Sequence, residues 1–243
     1  MSLSIEQLEI KASTENEMGL NECAFDTMCI MIQSLDKKGL SNSQKTLFEN
    51  ICKDRIQRYR DILGESFENL DLPEQSREIF PFLRSSLILK MQEVILPGIN
   101  LINGFLLSNA EDEDSKVFYN RVLADFHRYL SECYEPDDQN CVKYLDEANK
   151  NYENAINAAK HLSPCNISYL QIIINASIFH TDYLNDIACG IKLAEEGLAK
   201  YYAADQDRTE EIPEDQMEIE MGLVERLRSN VEKWKQEIEN NQE

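Results

Sequence analysis

This sequence of 243 residues predicts an all-α protein of about nine helices packed antiparallel. Apolar residues recur at intervals of three and four residues almost throughout, and no stretch alternates apolar with polar residues as a strand would. Glycine and proline are scarce, at 8 and 6 residues, which disfavours an all-β or a disordered chain. The connections between successive helices are short, which favours antiparallel neighbours.

The first half of the chain predicts four helices with local stop signals between them, over residues 3–17, 21–37, 41–70 and 74–107. Gly39 followed by Ser41 is a helix stop and then a new N-cap. Pro73 ends the third helix, because the residue before a proline avoids the α region. Pro97 lies inside the fourth helix and is expected to kink it.

The second half predicts five more helices, over residues 114–134, 137–161, 165–184, 186–204 and 213–240. Acidic residues before the first of these favour its N-terminus, and Pro136 and Pro164 mark the next two breaks. Pro213 suits a first helical turn, where its missing N–H costs nothing. The segment 165–184 is apolar nearly all round, which predicts a central helix covered on both sides.

The charge and the cysteines limit the kinds of function. A formal net charge of −21 argues against binding to nucleic acid or to an anionic membrane. Seven cysteines without a CxxC pair, and an N-terminus unlike a signal peptide, indicate a reduced, cytoplasmic protein. We expect one all-helical domain over residues 1–236, followed by a short acidic tail over 237–243.

No catalytic signature is present in the sequence. The glycines are too far apart to form a phosphate-binding loop, and there is no HExxH motif. His127, His161 and His180 are scattered, with no cysteine at the spacing of metal ligands. The sequence therefore predicts a protein that is not an enzyme, with no catalytic residue, no cofactor and no metal.

Basic residues two helical turns apart are the most informative polar pattern. Arg121, Asp125 and Arg128 fall on one stripe of the fifth helix, and Lys53 and Arg60 share a face of the third. If the two helices pack side by side, the cations converge into a cradle for a phosphate, because arginine makes planar, bidentate contacts with phosphate oxygens. The alternative is that these are ordinary solvated charges on helix surfaces.

Three segments resemble the 14-3-3 protein family. SKVFY at residues 115–119 with DFHRYL at 125–130 resembles the signature SKVFY followed by DYYRYL. NASIF at 175–179 with LN at 184–185 resembles NFSVFYYEILN, and RSNV at 228–231 before a tryptophan resembles RDNLxxW. The resemblance covers nearly the whole chain, at low identity outside these segments.

The resemblance implies a cup-like monomer with a concave amphipathic groove that binds phosphoserine or phosphothreonine peptides. By alignment, the phosphate would be bound by Lys53, Arg60, Arg128 and Tyr129. The residues of the peptide-binding groove would be Arg121, Asp125, Ile174, Asn175, Ile178, Asp182, Leu223, Asn230 and Trp234. Asn175 and Asn230 would hydrogen-bond the peptide backbone on either side of the phosphoresidue. The family assembles as homodimers or heterodimers through its N-terminal helices.

The sequence departs from the family at the groove and at the dimer contact. Arg226 and Lys233 stand where the family has leucines, and Gly222 occupies another groove position. We therefore expect the apolar wall of the groove to be thinner and to carry more polar residues than in the family. Thr27 replaces the acid of an intersubunit salt bridge whose lysine partner aligns with Ser86, so dimers are expected to be weakened. Exposed salt bridges contribute only about 0–1 kcal/mol each, so their loss need not abolish dimers.

The sequence thus leads to a phosphopeptide-binding adaptor that regulates client proteins in signalling. Its expected partners are phosphorylated proteins or peptides, with no nucleic acid and no membrane. The alternative is a helical-repeat scaffold, similar to tetratricopeptide proteins, that binds unphosphorylated peptides. Arg226 and Lys233 keep this alternative open, because they extend the basic surface beyond a single phosphate.

Overall fold

The computed structural model describes residues 3–35, 39–64, 78–209 and 212–240. Within these residues it contains nine α-helices and no strand, which confirms the predicted all-α class. The helices are α1 (Ile5–Glu17), α2 (Asn21–Gln33), α3 (Asn42–Gly64), α4 (Phe80–Leu101), α5 (Glu113–Ser131), α6 (Gln139–Ala159), α7 (Ile167–Ile178), α8 (Ile187–Gln206) and α9 (Glu214–Asn240). Two π-helical turns, Ile102–Leu106 and Phe179–Tyr183, extend α4 and α7.

Side-chain caps fix several of the helix starts. Ser4 accepts from the backbone N–H of Gln7, whose side chain accepts from the Ser4 N–H, so α1 begins with a capping box. Asn166 caps α7 and Asp186 caps α8 through a side-chain oxygen that accepts from backbone N–H groups of the first turn, without the reciprocal bond. Such short polar side chains satisfy backbone donors that the first helical turn leaves without an intrahelical partner.

Helix α4 is continuous through Pro97 and changes to the π-helical turn at Ile102. The helix is therefore not interrupted at Pro97, and the kink expected there stays a prediction. The break predicted at Leu72-Pro73 lies outside the described residues. Helix α2 ends at Gln33, earlier than the predicted end at residue 37. The sequence has no glycine or proline between Ser34 and Gly39, so the apolar periodicity alone did not locate this end.

The chain divides into two compact units. Unit 1 comprises residues 1–111 and 125–144, and unit 2 comprises residues 112–124 and 145–243. In unit 1, α1 packs on α2, and α3 packs on both α2 and α4. The largest fully buried side chains of unit 1 are Phe48, Met28, Met31, Ile32, Ile51, Ile56, Met91, Ile95 and Ile102.

Unit 2 is built around α7, which packs against both α8 and α9. Seven of its twelve residues are buried, so the prediction of a central helix in this region is confirmed. Gly190 and Gly197 allow α8 to approach closely: a Cβ at Gly190 would lie 2.8 Å from the carbonyl oxygen of Ser177, and one at Gly197 would lie 2.6 Å from Cγ2 of Ile173. The two glycines are two turns apart and therefore mark one close-packed face of α8.

Helix α9 turns one narrow apolar seam toward the unit 2 core. Leu227, Val231 and Trp234 are buried there, and Leu223 packs at its edge. In the described residues, no helix is both long enough and apolar enough to cross a bilayer.

Candidate functional site

Two arginines that the sequence analysis placed in the phosphate site converge on one carboxylate, Glu132. Arg60 of α3 donates from Nε and Nη2 to the two Glu132 oxygens at 2.7 and 3.0 Å. Arg128 of α5 donates from Nη1 to Oε1 of the same carboxylate at 3.2 Å. All three residues belong to unit 1. The chain thus brings two planar cations to a single anionic group.

The helical spacing explains how Arg128 is held. Glu132 follows Arg128 by four residues and Asp125 precedes it by three, so all three side chains lie on one face. Asp125 accepts from Arg128 Nη2 at 3.2 Å. Asp125 is buried, and the Arg128 side chain retains only a small exposed fraction. The guanidinium is therefore held between Asp125 of α5 and Glu132, which directly follows the last residue of α5.

Tyr129 forms the floor beneath the two guanidinium groups. The central carbons of Arg60 and Arg128 lie 4.3 and 4.4 Å from the centre of its ring, which is cation–π geometry. Burial, reinforced by the negative charge of Asp125, raises the pKa of the Tyr129 phenol to about 12. The hydroxyl therefore stays protonated at neutral pH and can act as a hydrogen-bond donor.

The electrostatics of this cluster favour the charged form of Arg60. Burial by itself lowers the pKa of Arg60, but the hydrogen bond and the charge of Glu132 outweigh that effect and raise it above the ordinary value. The positive charge of Arg128 acts in the opposite direction, which shows that the two guanidinium groups are close enough to repel each other. Glu132 compensates for this repulsion.

Lys53, the third cation assigned to the phosphate site, lies two turns before Arg60 on α3. Its ammonium pairs with Glu49, one turn earlier, at 2.7 Å, and 54% of its side chain is exposed. In unit 1 the structure therefore brings Arg60, Arg128 and Tyr129 into direct contact, while Lys53 projects into solvent from the same helix. The interpretation as a solvated helix charge fits Lys53 better than it fits the two arginines.

Arg121, predicted as a groove residue, is almost fully buried. Its guanidinium lies 5.4 Å from the ring centre of Phe118, one turn earlier on α5. Both residues belong to unit 2. A buried arginine beside an aromatic ring is not a solvated surface charge, so that alternative is wrong for Arg121.

The remaining predicted groove residues lie in unit 2 and differ in exposure. Ile174 and Trp234 are only 1% and 4% exposed and belong to the hydrophobic core of the unit. Four residues on α7 and α9 are half-buried: Asn175, Ile178, Leu223 and Asn230. Asp182, in the π-helical turn after α7, is exposed.

Asn230 carries a buried polar atom with no partner. Its side-chain nitrogen, Nδ2, is shielded from solvent and makes no hydrogen bond to any of the described residues. Leaving such a donor unsatisfied costs about 1–3 kcal/mol. A ligand that offers a carbonyl oxygen at this point would recover that free energy.

Three predicted groove positions that depart from the family pattern lie on the exposed surface of α9. Gly222 is exposed, and a Cβ built on it would meet nothing within 4 Å. Arg226 is exposed as well, and 72% of the Lys233 side chain is in contact with solvent. The polar substitutions therefore add charge to the surface of α9 without disturbing its buried seam.

Thr27, at the position of the intersubunit acid, is buried and bonded within its own chain. Its hydroxyl accepts from the Lys11 ammonium and donates to Glu15 at 2.6 Å. Lys11 and Glu15 are themselves an ion pair one turn apart on α1. Thr27 thus joins α1 to α2.

Sequence reasoning missed Glu132, the residue that organises the arginine cluster. A carboxylate four residues after Arg128 is a simple helical ion-pair signal, but an acidic chain offers many such pairs. The sequence analysis also missed the Arg208–Glu220 ion pair of unit 2, with oxygen–nitrogen distances of 2.6 and 3.2 Å. Glu220 is buried in α9, and the local sequence gives no sign of that burial.

Comparison with known proteins adds a line of evidence that does not depend on this geometry. The sequence model of the family described as 14-3-3 protein matches residues 11–235. The chain is 25% identical to 14-3-3-like protein 2 of Caenorhabditis elegans over 219 residues, which cover 86% of this chain and 85% of that protein. It is 25% identical to 14-3-3 protein zeta of Xenopus laevis over 70% of this chain and 72% of that protein. With 14-3-3 protein theta of Homo sapiens the identity is 22% over 86% of each chain.

Proposed function

The chain belongs to the 14-3-3 family, and we propose that it is an adaptor that binds phosphoserine or phosphothreonine peptides of client proteins. The observation that carries the proposal is the convergence of Arg60 and Arg128 on Glu132. Two guanidinium groups that already share one carboxylate are oriented toward oxygen ligands. They need little reorganisation to accept the oxygens of a phosphate.

In this proposal the phosphate is bound by Arg60, Arg128 and the Tyr129 hydroxyl, with Lys53 closing over it from α3. A phosphate brings about −1.5 to −2 charges at pH 7, which two to three cations can neutralise. Charge-assisted hydrogen bonds are roughly twice as strong as neutral ones, so the phosphate is the main source of affinity. Lys53 is exposed on its helix and can move toward the ligand at little cost.

The peptide backbone would be held by Asn175 and Asn230, and the unsatisfied amide nitrogen of Asn230 supports this role. Arg121, Asp125 and Asp182 would supply further polar contacts. Ile178 and Leu223, which are half-buried, would form the apolar wall with the edges of Ile174 and Trp234. The proposal treats residues 1–236 as one functional domain and residues 237–243 as a tail.

We further propose that the protein acts in the cytoplasm, without catalysing a reaction, as a homodimer or heterodimer joined through its N-terminal helices. The apolar exposure of those helices supports the dimer, since Ile10, Ile30 and Phe82 are all largely in contact with solvent. A dimer could bind two phosphosites of one client at a high effective concentration. Without the charge pair of the family at Thr27, the dimer would depend on apolar contacts.

Fluorescence anisotropy with a matched pair of peptides tests the proposal. One peptide carries Arg-Ser-x-phosphoSer-x-Pro and the other is its unphosphorylated form. We expect the phosphopeptide to bind at least about 30-fold more tightly, corresponding to about 2 kcal/mol from the charge-assisted contacts. Equal affinity for the two peptides would reject the proposal and favour the scaffold alternative, which exposed Arg226 and Lys233 would then support.

A further inference from the structure

Three potential metal ligands meet at the junction between the π-helical turn after α7 and the start of α8. They are His180, Asp186 and Cys189, and one ligand atom of each lies within 4.8 Å of the other two. All three belong to unit 2, and none of them was assigned to the phosphopeptide site. The imidazole of His180, the sulfur of Cys189 and the carboxylate of Asp186 together form a mixed nitrogen, sulfur and oxygen donor set.

The backbone of this junction is shaped so that the three side chains meet. The N–H of Asp186 donates to the carbonyl oxygen of His180 at 2.8 Å, which closes the turn. Asn185 adopts a φ of 52°, in the left-handed region that few residues other than glycine occupy. Gly190 then lets α8 pass so close that a Cβ there would clash with Cγ2 of Thr181. Cys189 is thereby brought next to His180.

A second observation concerns the imidazole of His180 itself. Nδ1 of His180 is shielded from solvent and makes no hydrogen bond to any described residue. A buried imidazole nitrogen without a partner loses its hydrogen bond to water and gains nothing in return. A metal ion bound by the neutral imidazole would supply the missing interaction.

We propose that His180, Asp186 and Cys189 bind a divalent transition-metal ion of the zinc type. Zinc accepts nitrogen, sulfur and oxygen ligands together in tetrahedral sites, at about 2.0–2.3 Å from each donor. Ligand atoms that already lie within 4.8 Å of one another reach that geometry by small side-chain rotations. Calcium and magnesium prefer oxygen ligands, so a set that includes a thiolate and an imidazole excludes them. A water molecule would take the fourth position.

Asp186 can serve the metal while it caps α8. Its Oδ1 accepts from the backbone N–H of Cys189 at 3.0 Å. A carboxylate has two oxygens and about four acceptor positions, so capping does not prevent coordination. The start of a helix disfavours a cation, but a carboxylate and a thiolate placed there offset that effect. The metal would clamp the end of the π-helical turn to the first turn of α8.

A second group of potential ligands, Cys165, Asp205 and Glu220, is less suited to a metal. The Arg208 guanidinium already pairs with Glu220 at 2.6 Å and with Asp205 at 3.6 Å. A cation of the protein thus occupies the position that a metal would need, and the two carboxylates are neutralised. This group supplies the matched control for the experiment.

The proposal departs from the sequence analysis, which expected no metal site. His180 and Cys189 are nine residues apart and separated by a helix break, so no spacing rule for zinc ligands detects them. Only the π-helical turn and the left-handed Asn185 bring the two side chains together.

The test is a titration of the metal-free, reduced full-length protein with Co²⁺, a spectroscopic substitute for zinc. A thiolate-to-cobalt charge-transfer band in the near ultraviolet that saturates at one ion per chain is expected. Cys189→Ser removes the band, while Cys165→Ser and His161→Ala retain it. Absence of a saturable band overturns the proposal, and so does a band that survives Cys189→Ser.

A second variant keeps the test independent of folding. Asp186→Asn retains the N-cap, because asparagine caps a helix as well as aspartate does, but removes the charge of the ligand. We expect its apo protein to melt as the native protein does. Its affinity for zinc, measured by competition with a chromophoric chelator, should fall by ~10-fold or more. Loss of a residue that only hydrogen-bonds a metal ligand typically lowers metal affinity by about 10–100-fold, and loss of a ligand should cost at least as much. An unchanged zinc affinity in both Asp186→Asn and His180→Ala overturns the site.

Discussion

Glu132 decides how the two arginines of the proposed phosphate site are arranged. It accepts from Arg60 at 2.7 and 3.0 Å and from Arg128 at 3.2 Å, so one carboxylate holds two like charges together. The same carboxylate competes with any incoming phosphate for the arginine donors. Glu132 therefore has two opposing effects on phosphate binding: it holds the arginines in place, and it occupies the donors that the phosphate needs.

Replacing Glu132 by glutamine separates these two effects. We expect Glu132→Gln to lower the free energy of unfolding by about 1–2 kcal/mol, because two half-buried guanidinium groups lose their shared counter-ion. Added inorganic phosphate should raise the melting temperature of Glu132→Gln more than that of the native protein, since the anion replaces the lost charge. Thermal denaturation with and without phosphate measures both quantities.

The matched control is Glu49→Gln, which removes the carboxylate partner of exposed Lys53. That substitution should change stability by no more than about 0.5 kcal/mol, the usual value for an ion pair between helical residues one turn apart. If phosphate stabilises native protein and Glu132→Gln equally, Glu132 does not compete for the phosphate site.

The pH dependence of binding should belong to the ligand, because the pKa values of Arg60 and Tyr129 are both raised further above neutrality. Glu132 raises the pKa of Arg60, and burial raises the pKa of Tyr129 to about 12. The second pKa of a phosphoserine is about 6. Affinity for the phosphopeptide should therefore increase from pH 5 to pH 7.5 as the dianion forms, and then stay level to pH 9.

An O-sulfated serine peptide is the control, because a sulfate ester is a monoanion across the whole range. Its affinity, measured by anisotropy at the same pH values, should be lower and nearly constant between pH 5 and 9. A parallel increase for both peptides would place the titrating group in the protein and contradict this account.

Sequence reasoning located the arginines of the site but not what surrounds them. Two-turn spacing placed Arg60 and Arg128 on defined helix faces, and the structure brings them together. The burial of Arg121 depends on which face of α5 the core of unit 2 covers, and helical spacing alone does not determine that. Whether a charge is solvated is a property of packing, so the sequence left both interpretations open.

Among the elements, α8 depends on glycine for its close approach to α7 and the π-helical turn. We expect Gly190→Ala to destabilise the protein by about 1–3 kcal/mol, because the added Cβ would lie 2.8 Å from the Ser177 carbonyl oxygen. This steric cost exceeds the gain of about 1 kcal/mol that alanine brings to a helix. Chemical denaturation measures the difference.

Gly222→Ala in α9 is the matched control, because a Cβ there would meet nothing within 4 Å. Only the helix propensity changes at that position, so the substitution should stabilise the protein by about 0.5–1 kcal/mol. Stabilisation of similar size at both positions would show that α8 is not closely packed at Gly190.

The presence of the nine α-helices was predictable from the sequence, whereas their exact ends were less so. Strong apolar periodicity gave the nine helices of the described residues, and caps such as Asp186 gave some of their starts. The two π-helical turns were not predicted, because a single extra residue in a helix leaves the apolar pattern almost unchanged. The turn after α7 is the one that assembles the proposed metal site.

At the scale of the whole molecule, the formal net charge of −21 opposes association of two copies. Apolar contacts must then hold the proposed dimer, and Phe82 at the start of α4 is 74% exposed. We expect Phe82→Asp to weaken dimerisation about 10–100-fold, the equivalent of the 1.5–3 kcal/mol that burying such a side chain contributes. Sedimentation equilibrium measures the dissociation constant.

Val142→Asp, on an exposed position of α6, is the matched control and should leave the dimer intact. Raising the salt concentration from about 50 to about 500 mM should strengthen the native dimer, since salt screens repulsion between acidic chains. A dimer that dissociates on adding salt would instead depend on intersubunit ion pairs and contradict this account.

The family and the all-α class were accessible from the sequence because the three motif segments and the periodicity extend over most of the chain. The specificity of the proposed peptide groove was not accessible, because Gly222, Arg226 and Lys233 depart from the family pattern on the surface of α9. The effect of these three residues on peptide preference must be measured by binding experiments on this protein.

The most direct test of the central claim is the coupling between the phosphate and the arginine pair. Affinities of the phosphorylated and unphosphorylated peptides are measured for the native protein and for Arg60→Ala/Arg128→Ala, with Lys143→Ala as the control and thermal melting as the check on folding. We predict a coupling free energy of at least about 2 kcal/mol, so that the double variant loses the preference for phosphate while its weak affinity for the unphosphorylated peptide is unchanged. A preference for phosphate that persists in a folded double variant would show that Arg60 and Arg128 do not bind the phosphate.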